Sequence, residues 1–139
     1  LGNGMDVFLK VYGDENFSFR AGNTKFICMN TNALEFDYSH PVPDFTFMYN
    51  ELQDTVGCPR TVPVMHVQPF NNNVARGFHA LLLEFPGVEF CLHAHSHTLL
   101  HEELFEDGIP YIGCAAMKDK NYLLFTLTPG GYEYEVVYY

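Results

Sequence analysis

The sequence predicts a layered fold of mixed helices and strands, α/β or α+β in class. Two short apolar runs, at residues 61–67 and 88–92, end in histidine-bearing polar segments and read as buried strands. Around them lie segments with apolar residues at helical spacing, and from residue 99 onward β-prone runs alternate with turn signals. The resulting order is hairpin, helix, strand, helix, strand, then meander, which suits layers packed on a sheet and not a pure barrel. No internal repeat or linker interrupts it, so residues 1–139 are read as one domain.

The first element is a hairpin. Residues 17–20 and 24–30 are β-prone and are joined by Ala21-Gly22-Asn23, where Gly and Asn tolerate the positive φ of a tight turn. Residues 39–44 hold two prolines and read as a loop, with Asp44 as N-cap of a helix over 45–54. Phe45, Met48, Tyr49 and Leu52 would form its apolar face. A second helix is expected over 73–85, with Val74, Phe78, Leu81, Leu82 and Phe85 on one face and Pro86-Gly87 as its stop. The late strands are expected at 99–105, 109–114, 122–128 and 132–139, with turns at Glu106-Asp107-Gly108 and Pro129-Gly130-Gly131. In the last of them Tyr132, Tyr134, Val136 and Tyr138 alternate with Glu133 and Glu135, the period of a half-buried strand.

With 47% apolar and 16% aromatic residues among 139, the chain has the side chains to build a core, which argues against disorder. Seventeen acidic residues against seven basic ones, a net charge of −10, exclude a nucleic-acid backbone or an anionic membrane surface as the main partner. Metal ions would have to supply the positive charge for any phosphate chemistry. No apolar run reaches the ~18 residues of a membrane span and no charged-then-apolar leader opens the chain. The first residue is Leu and not Met, so sequence upstream is expected, and the compartment is unreadable. Cys28, Cys91 and Cys114 lie in apolar strand-like runs and read as small buried thiols, while Cys58 in Val56-Gly57-Cys58-Pro59 is the one placed for exposure.

The chemistry concentrates in Cys91-Leu92-His93-Ala94-His95-Ser96-His97, three histidines at alternate positions at the end of an apolar run. Imidazole is a common ligand for divalent transition metals, and a strand end aims it rigidly. His66, at the end of another apolar run, would join them, because parallel strand ends converge where α/β sites are built. His93 reads as a packing residue; His40, His79 and His101 as solvated or turn residues; Asp107 and Gly108 as turn formers; and Glu102-Glu103 as a solvated strand edge.

Met65-His66-Val67-Gln68-Pro69 followed by Ala94-His95-Ser96-His97 resembles, in order and spacing, the single histidine and the G-H-x-H of the calcineurin-like metallophosphoesterases. Phe105-Glu106-Asp107-Gly108-Ile109-Pro110-Tyr111, Thr128-Pro129-Gly130-Gly131-Tyr132 and the hairpin around Phe17 and Phe26 are similar to the same family. The likeness covers nearly the whole chain, as the C-terminal half of a longer domain. It implies half of a four-layer sandwich: a mixed sheet with two helices, followed by an antiparallel meander. It also implies a hydrolase of phosphate esters, with His66 and His95 as ligands of one divalent metal (Zn, Mn or Fe) and His97 as a ligand of a second.

The departures shape the expectation as much as the matches. The family's D-x-H and G-D-x-x-D stand nowhere ahead of His66, so the bridging carboxylate is missing. Gly2-Asn3 keeps the Gly-Asn of its G-N-H-D/E without the His, which leaves two readings of Asn3: a metal ligand, or a residue just past a lost motif. Ala94 replaces the usual Gly. The resemblance therefore implies a phosphoesterase fragment with an incomplete site, one metal ion or none, and little activity alone. The uncovered sheet face of half a sandwich implies self-association. Two alternatives remain open: a non-catalytic remnant that binds a metal or a partner, and a cupin-like barrel, since His95-x-His97 with Glu102 approximates that family's first motif although no histidine follows His101 to supply the second.

Overall fold

The computed structural model describes residues 2–36, 43–69 and 72–139. Its main sheet has six strands in the order β1-β2-β3-β4-β6-β5. They are β1 (Phe17–Ala21), β2 (Thr24–Met29), β3 (Arg60–Met65), β4 (Cys91–His93), β5 (Leu100–Glu102) and β6 (Tyr111–Gly113). Strands β2, β3, β4 and β6 run parallel, and β1 and β5 close the two edges antiparallel. The chain is thus an open mixed sheet with helices and not a closed barrel. The expected neighbouring strands around His66 and Val88 are present as β3 and β4, with Val88 bridging to Thr61 ahead of β4.

The hairpin forms as its sequence dictates: Phe17 pairs with Cys28 and Ala21 with Thr24, and Gly22 takes the positive φ of 59°. Asp44 caps α3 (Phe45–Gln53), its Oδ1 accepting from the Phe47 N–H at 2.9 Å. Only part of that helix's expected face is buried. Met48 and Leu52 enter the core, whereas Phe45 and Tyr49 stay more than a third exposed and rest near Gly77 and against Phe85. The reason is rotational: Phe47, one residue from Met48, packs on the core in their place. Helix α4 (Asn72–Leu83) buries Phe78 and Leu82 and ends two residues before the expected stop. Gly87 is required just beyond it, at φ 114°, because a Cβ there would lie 2.3 Å from the Pro59 carbonyl oxygen.

Two layers cover the sheet. Helices α3 and α4 close one face over Ile27, Met29, Met65, Cys91 and Tyr111. The other face carries Val62, Phe90 and Ile112 and is covered by a separate antiparallel pair, β7 (Asn121–Thr128) and β8 (Gly131–Tyr138), through Leu123, Phe125, Leu127, Tyr132 and Tyr134. The late strands therefore divide. β5 and β6 join the main sheet, and only β7 and β8 form the meander. Arg60, 4% exposed, fastens the pair: its Nη2 donates to the Thr128 and Gly131 carbonyls at 2.9 Å each, and its Nε lies 3.1 Å from Glu89 Oε2.

Two short helices went unpredicted, α1 (Gly2–Tyr12) and α2 (Ala33–Phe36). The glycines in the first turn of α1 hide it. Its stop was readable, because Gly13 at φ 87° donates back to the Leu9 carbonyl as a left-handed C-terminal cap does. Cys58, expected at the surface, is 2% exposed in the turn that leads into β3, its N–H donating to the Thr55 carbonyl at 2.9 Å. All four cysteines are free thiols. Most of the loop expected at 39–44, with His40, lies outside the described residues.

Candidate metal centre

The candidate ligands sit at the carboxyl ends of β3 and β4. A parallel ladder delivers both ends to the same side of the sheet, where side chains from adjacent strands can meet. His66 follows β3 directly, and its carbonyl accepts from the Ala94 N–H at 3.0 Å, one residue beyond β4. The chain then turns sharply. His95 and His97 both hold left-handed backbone, at φ 65° and 57°. For a residue with a Cβ this conformation costs on the order of 1–2 kcal/mol. The turn is thus made at His95, one residue after Ala94.

This turn brings His95 against His66, with ring centres 5.3 Å apart and planes at 81°. Two imidazoles held ~2.1 Å from one tetrahedral cation have ring centres about 5 Å apart, so the pair has the separation of two ligands of a single ion. His97, two residues on in the sequence, is exposed. Among the described residues no group of three or more His, Cys, Asp or Glu side chains forms that could hold a metal. The Asn3 side chain lies outside the described residues. Of the residues expected to hold a metal, the described structure brings together His66 and His95.

His93 packs, as expected. It is 4% exposed, its Nδ1 lies 3.2 Å from the Ala94 carbonyl, and burial pushes its pKa down, so the ring stays neutral. Its Nε2 is buried without a hydrogen-bond partner and lies over Gly113, where a Cβ would approach it to 3.0 Å. The glycine makes room for the ring.

His79 corrects the sequence reading. It is 4% exposed, stacked on Phe105 at 3.9 Å between ring centres, and held at both nitrogens. Nε2–H donates to the Asp107 carboxylate, which leaves Nδ1 to accept from the Tyr111 hydroxyl at 3.1 Å. Asp107 is a turn former as expected, accepting from the Ile109 N–H, and also the partner of this buried histidine. Burial alone would raise its carboxyl, but the bonds from His79 and Ile109 hold it below the ordinary carboxylate value. Burial drives the Cys91 thiol and the Tyr111 hydroxyl far above their usual ranges, so neither supplies an anion. The signal that could have found this cluster was the position of His79 on the apolar face of α4, one residue after Phe78. His101 is exposed as expected and meets the Tyr134 hydroxyl at 2.9 Å.

A cleft of about 240 Å³ opens beside His66, between α1, the end of β2 and the end of β3. No family model and no curated protein matches the chain.

Proposed function

We propose that this chain carries the histidine part of a calcineurin-like metallophosphoesterase site and serves metal-dependent hydrolysis of phosphate mono- or diesters. The observation that carries the reading is the His66–His95 pair, 5.3 Å apart at adjacent parallel strand ends, on a turn that forces a non-glycine residue into left-handed backbone. His66 and His95 would hold one divalent ion, Zn, Mn or Fe, and His97 would face a second. Such ions, when bound, polarise the phosphoryl oxygens and make hydroxide available near neutral pH. Hydrolysis joins a water oxygen to phosphorus and breaks the P–O bond to the alcohol, which leaves with a proton. Without the family's D-x-H and G-D-x-x-D motifs to supply a bridging carboxylate, repulsion between paired dications would go uncompensated, so this chain alone should bind about one ion and turn over little.

The test is titration of the purified chain with Zn²⁺ and Mn²⁺ while hydrolysis of a chromogenic phosphodiester is followed. Weak binding lost in His95→Ala, with turnover near background, supports the reading. Absence of metal binding at neutral pH overturns it. We propose further that the chain self-associates through the part of the sheet that the β7–β8 pair leaves open, where Phe19, 47% exposed, stacks on Phe26.

A further inference from the structure

The cleft beside His66 is walled mainly by apolar side chains, with a smaller polar share from Glu15 and residues 30–32. Phe8, Phe17, Cys28 and Val64 contribute apolar surface, and His66, one of the histidine pair, also lines the cleft. Several of the polar groups around it are bonded within the protein. Asn30 donates from Nδ2 to Glu15 Oε2 at 2.7 Å, accepts the Asn32 N–H on Oδ1 at 2.9 Å, and gives its own N–H to Asn16 Oδ1 at 2.9 Å. Thr31 Oγ1 accepts from the Val67 N–H at 2.8 Å. A sugar or a nucleobase entering here would give up hydrogen bonds to water and find these partners engaged. The Glu15 carboxylate disfavours an anion in the same wall. An apolar ring meets neither obstacle, and the volume suffices, since an apolar cavity of ~150 Å³ holds benzene.

We infer that this cleft receives the alcohol portion of the substrate, and that the substrates are phosphate esters of apolar, uncharged alcohols, aryl above all, in preference to nucleotides or sugar phosphates. The inference rests on the phosphoesterase reading, because it is His66, shared by cleft and histidine pair, that sets the ester oxygen at the junction of the two.

The free alcohol tests the cleft apart from the metal. Two-dimensional NMR of the chain titrated with 1-naphthol, without metal, should shift resonances of Phe17 and Val64, while adenosine leaves them in place. Phe17→Ser, at a half-exposed edge-strand position where folding is retained, should weaken naphthol binding by about fivefold, the contribution of one aromatic wall. A Zn²⁺ titration followed at His66 and His95 forms the second arm. Naphthol binding without zinc binding upholds the cleft and removes the phosphoesterase reading. Zinc binding with no naphthol response, or a response unchanged in Phe17→Ser or matched by adenosine, overturns the cleft assignment and leaves the metal site standing.

Discussion

The Ala94 N–H donates to the His66 carbonyl at 3.0 Å, extending the β3–β4 ladder one step past both strands. The segments that bear His66 and His95 are thereby tied to each other through their backbones. Bound Zn²⁺, measured by equilibrium dialysis, is expected to stay near one ion per chain. His66→Ala and His95→Ala should each remove it, and a variant that still binds as wild type would show that the ion sits elsewhere.

Turnover of a chromogenic ester should remain near background with Zn²⁺ or Mn²⁺ at saturation, because a lone ion lacks the clamp that stabilises both attacking and leaving oxygens. Robust hydrolysis that vanishes in His95→Ala would establish that the site is complete as it stands.

Asp107→Asn should destabilise the chain by ~1 kcal/mol at neutral pH, since it removes the charged acceptor of the His79 ring. The Asp107 pKa is depressed in the folded state, so its contribution is present above the unfolded carboxylate value and is lost as pH falls through the folded one. Denaturant midpoints of wild type and Asp107→Asn should accordingly converge below about pH 4. A gap that persists in acid would mean the variant acts through something other than this charge.

Two glycines with positive φ separate strain from collision. Gly22→Ala meets open space and should cost only ~1 kcal/mol, the left-handed penalty alone. Gly87→Ala drives a Cβ into the Pro59 carbonyl and should cost roughly 2–3 kcal/mol. Thermal melts of the two variants decide it, and equal losses would contradict the packing described here.

The strands that flank the histidines were legible because their residues obey one local rule at a time. The apolar run ending in His66 and the Ala21-Gly22-Asn23 turn each announce themselves within a few residues. His79 and Arg60 were not legible, since their roles depend on partners 28 and 68 residues away. Lys25 is a third case. A lysine in a strand reads as solvated, yet it is 1% exposed and its Nζ donates to the Glu51 and Asp54 carbonyls at the end of α3, an end invisible from β2 alone. The His66–His95 meeting was half legible: the order of motifs pointed to it, but the positive φ of His95 that achieves it has no sequence signal.

Self-association is expected at micromolar concentration and should be read by light scattering. Phe19→Ser removes half of the exposed aromatic stack and should shift the assembly toward monomer. A wild-type chain that is already monomeric ends the proposal.

Arg60 opens β3 and His66 follows its last residue, so the strand spans the distance between the clamp on the β7–β8 turn and the histidine pair. At ~3.3 Å per residue that separation is roughly 20 Å. The Thr128 and Gly131 carbonyls hold the clamp, while the Pro129–Gly130 bond between them carries none of it. That peptide bond is a natural port for grafting: a reporter, an affinity handle or a partner domain spliced there would ride on an anchored stem, at the opposite end of β3 from the histidine pair.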